Sequence, residues 1–165
     1  AGDWGTGIGD WGLGIREGRG VMGEERGFEG LEFYRDSLSL VKMAYALIES
    51  LPDAERYNLA SQLRRAVVSV PLNIAEGYGR YHYPDRLRFF YIARGSLNET
   101  VSAFDVALTL GYCPSELVCE VRELAAVIEK NLNGYCRFVR GQQQGKAEFG
   151  TAHIHDEAYN NPTRS

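Results

Sequence analysis

Residues Tyr57–Ser96 read YNLASQLRRAVVSVPLNIAEGYGRYHYPDRLRFFYIARGS, and the periodicity of this stretch decides the fold. Leu59, Leu63, Ala66, Val67, Val70 and Ile74 recur at spacings of three and four, the signature of one face of a helix that begins near Arg56. The opposite stripe, Asn58, Gln62, Arg65, Ser69, Asn73, Glu76 and Arg80, is polar throughout. Pro71 lies inside the pattern; it has no N–H to donate, so it removes one helical hydrogen bond and bends the chain. Apolar spacing continues beyond it, which predicts a kink rather than an end. Gly77 and Gly79 then read as the stop.

A second helix opens at Pro84-Asp85 and runs to about Leu110, with Leu87, Phe90, Leu97, Val101, Phe104 and Leu108 as its core stripe and Gly111 as its C-cap. A parallel stripe, Ala93, Ser96, Thr100, Ala103 and Ala107, is uniformly small and lets another helix approach closely. Upstream, Glu32 to Leu51 forms a helix with Leu40, Ala44, Leu47 and Leu51 on one stripe and Val41, Tyr45 and Ile48 beside it; Pro52-Asp53 ends it. Downstream, Pro114-Ser115-Glu116 starts a fourth helix carrying Leu117, Val121, Leu124, Ile128, Leu132, Tyr135 and Val139. Strand patterns are absent. Four long amphipathic helices with short connections predict an all-α, antiparallel up-down-up-down four-helix bundle over residues 31–141.

The flanks read differently. Residues 2–8 (GDWGTGI) and 9–15 (GDWGLGI) repeat one heptapeptide with a single change, and eleven of the nineteen glycines lie in the first 30 residues. Glycine at that density costs too much backbone entropy for a stable element. Residues 1–30 are therefore expected to be a disordered Gly/Trp-rich extension, with Met22 as a candidate start, and residues 142–165 a polar disordered tail.

The 165 residues suit one domain, and the net charge of −4 argues against a generally basic coat for nucleic acid. The charge is unevenly placed. Between positions 56 and 94 there are seven arginines against Glu76 and Asp85, whereas both flanking segments are acidic. Arg64, Arg65, Arg80, Arg86, Arg88 and Arg94 could form a phosphate-binding band, with Tyr78, Tyr81 and Tyr83 as stacking partners. The competing reading has these arginines solvated or paired with Glu on neighbouring helices or subunits. Three cysteines, Cys113, Cys119 and Cys136, show no Cys-x-x-Cys spacing, which with the lack of a signal sequence predicts reduced thiols and a cytoplasmic location. No apolar run approaches the roughly 20 residues of a membrane span.

Chemistry-bearing motifs are sparse. There is no Glu-x-x-His of a di-iron bundle, no phosphate-binding P-loop and no Gly-x-Ser-x-Gly elbow; His153 and His155 form an isolated His-x-His in the tail. Asn73 and Glu76 have no neighbouring base, nucleophile or metal ligand. They, with Pro71 and Gly77, are expected to be structural, tying the turn by hydrogen bonds to backbone groups freed by the proline and the helix end. The expectation is a non-enzymatic protein with no catalytic residue, cofactor or metal.

The segments Gln62-Leu63-Arg64-Arg65-Ala66, Val70-Pro71-Leu72-Asn73-Ile74-Ala75-Glu76-Gly77-Tyr78-Gly79-Arg80 and Ala93-Arg94-Gly95-Ser96-Leu97-Asn98-Glu99 closely resemble a bacterial family of four-helix bundles encoded in intervening sequences of 23S ribosomal RNA. The accessory proteins of diversity-generating retroelements look like distant members. The resemblance covers roughly positions 33–140 and implies a bundle commonly assembled as a homopentamer. The retroelement branch binds a reverse transcriptase and nucleic acid through basic surfaces; the acidic net charge here departs from that branch. Self-association is also expected from an uncovered apolar face of the central helix, Val68, Pro71, Leu72 and Ala75, together with the small-residue stripe. The functional expectation is an oligomeric module that binds RNA or a nucleic-acid-processing protein through the basic band. The alternative is a protein–protein scaffold with no nucleic-acid role.

Overall fold

The computed structural model describes residues 27–146. Four helices make up the body: α1 (Glu32–Ser50), α2 (Leu59–Gly79), α3 (Tyr83–Thr109) and α4 (Ser115–Gln142), with 3₁₀ turns at Phe28–Gly30 and Asp53–Glu55. No strand occurs among the described residues. Each helix packs on its neighbour in sequence, and α1 closes the ring against α4. Paired residues fix the directions. Tyr45 lies beside Arg64 and Phe28 beside Tyr78; Ser69 meets Ser96 and Gly77 meets Phe90; Arg94 meets Asn133 and Asp105 meets Arg122. Along each pair one index rises as the other falls, so neighbouring helices run antiparallel.

The boundaries follow local chemistry. Glu55 accepts from the Leu59 N–H at 3.3 Å and from Asn58 Nδ2 at 3.0 Å, so α2 starts three residues later than its apolar spacing suggests. α2 passes through Pro71 without a break, as the continued spacing predicted. It does not end on a left-handed glycine, however: Gly77 lies within the helix, Gly79 is its last residue, and Arg80 turns the chain into extended backbone at φ −75°. At the end of α3 the glycine rule does hold. Gly111 has φ +75°, its N–H reaches the Leu108 carbonyl at 3.0 Å, and the Tyr112 N–H reaches the Ala107 carbonyl at 2.8 Å.

The core is formed by the inward stripes. Leu40, Leu47, Leu63, Val67, Val70, Ile74, Phe90, Leu97, Phe104, Val121, Ile128 and Leu132 are fully buried. Each such side chain stabilises the fold by about 1.5–3 kcal/mol relative to exposure. Leu51, Val101, Leu108, Leu117, Leu124 and Tyr135 pack at the margins, and Tyr45 faces outward. Val118, Ala125 and Cys136 take central places on α4, because its buried seam is rotated from the one its largest residues suggest.

The tightest pairing is α2 with α3. Ala93, Ser96, Thr100, Ala103 and Ala107 are all buried, so the small stripe serves this internal seam and not a partner copy. Ser96 Oγ donates to Ser69 Oγ at 2.8 Å, Asn73 Nδ2 donates to the same hydroxyl at 2.9 Å, and Thr100 Oγ1 donates to the Ser96 carbonyl at 2.8 Å. At the end of the seam, a Cβ on Gly77 would lie 2.7 Å from Phe90 Cε1 and 3.1 Å from the Arg86 carbonyl, so only glycine fits there.

The ordered body extends beyond the expected 31–141 at both ends. Phe28 packs edge-on to Tyr34 at 4.9 Å and lies 6.4 Å from Tyr78, which fastens the 3₁₀ turn to α1 and α2. After α4, Gln143 adopts φ 46° and the Gln144 carbonyl accepts from the Tyr83 N–H at 3.2 Å. Gly145 abuts the Nδ1 edge of the His82 ring, where a Cβ would come within 2.3 Å of Nδ1. The remaining parts of the expected extension and tail, residues 1–26 and 147–165, lie outside the described residues, as do His153 and His155.

Candidate nucleic-acid interface

The six arginines of the expected band fall into separate settings. Arg64 and Arg65 project from the exposed side of α2. The Arg64 guanidinium lies 5.9 Å from the centre of the Tyr45 ring, and Arg65 Nη2 donates to Gln62 Oε1 at 2.6 Å. With Tyr45, Val68, Ser69, Leu72 and Asn73 they line an open depression of about 410 Å³. Leu72 is 63% exposed at its edge; Val68 and Ala75 are half-buried and Pro71 is buried, so the expected apolar face narrows to Leu72 and its α1 neighbour Tyr45.

Arg80 forms an ion pair with Glu76, one turn away on α2, and stacks 4.9 Å from the Phe89 ring. Arg86 turns inward rather than outward. Its guanidinium donates to the Tyr135 hydroxyl at 3.0 Å and to Gln144 Oε1 at 3.2 Å and lies 5.8 Å from the Tyr78 ring. It thereby joins α2, α3, α4 and the turn after α4, and it leaves the surface band. Arg88 is exposed on α3, where with Pro84, Tyr91 and Ile92 it lines a shallow depression of about 550 Å³. Arg94 is half-buried, with Nη1 donating to Asn133 Oδ1 at 3.1 Å and the guanidinium 5.2 Å from the Tyr91 ring.

The expected backbone ties at Asn73 and Glu76 take another form. Asn73 Nδ2 donates to the Ser69 carbonyl at 2.7 Å, not to the Val67 carbonyl whose helical donor Pro71 removes, and Glu76 pairs with the Arg80 side chain. Of the expected stacking tyrosines, Tyr78 sits under Arg86, Tyr83 packs against the core, and Tyr81 is exposed beside the His82 ring.

Two residues at this surface escape the sequence reading. Tyr91 is exposed on α3, and Arg140 on α4 donates to its hydroxyl and lies 5.8 Å from its ring. Tyr91 is thus held by two guanidiniums, one from each helix. Its exposed position on α3 is visible in the helical spacing, but Arg140 lies outside the arginine-rich window of 56–94 and reaches the site only through folding. Beneath them Cys136 is buried. Desolvation pushes its thiol up from the ordinary value, opposed by the positive charge of Arg140 and then of Arg94. Burial likewise raises the Tyr135 phenol, with the Arg86 charge opposing.

Chemically, the arrangement offers planar cations on aromatic supports. Among the described residues no group of three or more His, Cys, Asp or Glu side chains could hold a metal ion, and no helix is long and apolar enough to cross a membrane.

The family profile described as "23S rRNA-intervening sequence protein" matches residues 29–134, which include α1, α2, α3 and α4 as far as Gly134. None of the curated proteins matches the chain. A crystal structure described as a protein with unknown function from the S23 ribosomal protein family of Bacteroides thetaiotaomicron is similar to it at 20% sequence identity, with a TM-score of 0.58, over 63% of this chain and 97% of that one. That likeness carries the fold.

Proposed function

The chain belongs to the 23S rRNA-intervening sequence protein family, and on that premise we propose that it is a non-enzymatic, cytoplasmic, homo-oligomeric module that binds RNA through the arginines on the outer faces of α2, α3 and α4. The reading rests on one observation: Arg64, Arg65, Arg94 and Arg140 meet aromatic rings, amides and a hydroxyl, and none of these partners cancels a charge. A guanidinium stacked on a ring keeps its N–H fork available for phosphate oxygens and is only weakly hydrated, so it gives up its water readily. Arg80 and Arg122, in contrast, are each neutralised by a carboxylate, Glu76 and Asp105.

The family resemblance supplies a pentamer as the expected assembly, and exposed Leu38, Tyr45 and Leu72 on α1 and α2 offer apolar surface for it. A ring would repeat each arginine patch five times and build a continuous positive track from an acidic chain. The test is fluorescence anisotropy with single-stranded and structured RNA at low salt. Saturable binding that weakens steeply with added salt supports the reading; no binding at low salt assigns the protein to a scaffold role without nucleic acid.

A further inference from the structure

Gly95 lies in the middle of α3, a helix of 27 residues, on the exposed side and with ordinary helical backbone. A Cβ placed there would meet nothing within 4 Å. Glycine at such a position costs roughly 1 kcal/mol relative to alanine. At Gly77 the crowding of Phe90 accounts for the residue, but at Gly95 nothing among the described residues does. A missing side chain on this exposed face leaves the backbone open to close approach from outside.

The surroundings identify what approaches. Gly95 is one helical turn from Tyr91 and two from Arg88 on the same outer stripe of α3. Tyr91 is clasped by Arg94, itself fixed by Asn133 at 3.1 Å, and by exposed Arg140. Ile92, 42% exposed, walls the adjoining depression with Pro84. Gly141, next to Arg140 on α4, also has open space where a Cβ would stand. The patch therefore combines two planar cations, an exposed ring, an apolar wall and bare backbone. Unpaired bases stack on aromatic rings and guanidinium planes, and their phosphates seek guanidinium forks. A protein partner would be met by larger apolar area, and duplex RNA would present its bases only to each other.

We propose that the α3–α4 face at Tyr91, Gly95 and Arg140 is a nucleotide subsite for single-stranded RNA. The sugar-phosphate backbone crosses α3 at Gly95, a phosphate engages Arg140, and an unpaired base stacks on the Tyr91–Arg140 platform. This deepens the RNA-binding reading above and rests on it.

The experiment uses the full-length chain, an oligouridylate labelled with fluorescein for anisotropy, and the same oligomer carrying 4-thiouridine for crosslinking. Gly95→Ala is the primary variant because helix propensity should leave it as stable as the parent or more so. It is expected to weaken binding about fivefold, roughly the loss of one hydrogen-bonded contact, without lowering the thermal midpoint. Arg140→Gln is expected to reduce the magnitude of the log affinity–log salt slope by about 0.7. Crosslinked peptides are expected to contain Tyr91. Retained parental affinity in Gly95→Ala, or crosslinks confined to the Arg64–Arg65 surface, would overturn the subsite while leaving RNA binding in place. A change in oligomer size in Gly95→Ala with RNA affinity intact would overturn it in favour of a contact between copies. Absence of RNA binding by the parent would overturn both readings together.

Discussion

Replacing Gly77 by alanine should destabilise the protein, although alanine is the better helix former. The added Cβ would lie 2.7 and 2.9 Å from two ring carbons of Phe90 and 3.1 Å from the Arg86 carbonyl oxygen. The shortest of these is about 0.8 Å inside the ordinary ~3.5 Å limit of carbon contact. Relief by rotating Phe90 is blocked, because its ring is fully buried and packed 5.5 Å from the Tyr135 ring. The Arg86 carbonyl is helical backbone, so relief requires separating α2 from α3 along the seam that Ser69 and Ser96 close. Overpacking of this kind costs about 2–3 kcal/mol, against a propensity gain of about 1 kcal/mol. The net expectation is a loss of about 1–2 kcal/mol, or several degrees in the thermal midpoint of a body this size. Gly79→Ala is the control, since a Cβ there would meet nothing within 4 Å. It should be neutral or stabilising by a few tenths of a kcal/mol. Urea unfolding followed by circular dichroism at 222 nm measures both. Equal or greater stability of Gly77→Ala would refute the close-packing argument for the α2–α3 seam.

Arg86→Gln should lower stability by about 1–2 kcal/mol in the same urea assay, through loss of the Tyr135 and Gln144 bonds, and should leave the salt dependence of RNA binding unchanged. Alkylation by iodoacetamide at pH 8 should modify one thiol rapidly, Cys119, which is exposed, while Cys113 and Cys136 react only on unfolding. Burial raises the Cys113 and Cys136 thiols above the ordinary 9.0, so their folded forms keep protons that the unfolded chain releases; the associated stability is full below about pH 9 and should be lost as pH rises above it, measured as a falling urea midpoint that Cys136→Ala makes shallower. Light scattering during size exclusion should report about five times the chain mass, and a monomer at micromolar concentration would remove the pentameric ring from the account.

The bundle was legible because helical periodicity is a local signal and the core obeys it. Leu59, Leu63, Ala66, Val67, Val70 and Ile74 are buried as their spacing implies, and the connections are too short to permit anything but antiparallel neighbours. The destination of the small stripe on α3 was not legible. Small residues announce close approach without naming the partner, and Ser69, read as part of a polar outer stripe, meets Ser96 of that stripe while Asn73, one turn on, donates to the same Ser69 hydroxyl. The site was half legible. Charge counted along a window gathers arginines that share a segment, so it included Arg86, which folding turns inward, and omitted Arg140, which folding brings from α4 onto Tyr91. Aromatic supports for cations likewise depend on pairs far apart in sequence, such as Tyr45 with Arg64. Phe28 sits among glycines that read as an extension, yet one aromatic against Tyr34 and Tyr78 suffices to fasten the turn.

RNA binding through exposed arginines is the central claim, and the salt dependence of affinity tests it most directly. The parent chain and the triple variant Arg64→Gln/Arg65→Gln/Arg140→Gln would be titrated against single-stranded RNA from low to physiological salt. Each phosphate contact contributes about −0.7 to the log–log slope, so loss of three should reduce its magnitude by about 2 while helicity and oligomer size stay unchanged. A slope identical in parent and variant, or no measurable affinity at the lowest salt, would contradict the account.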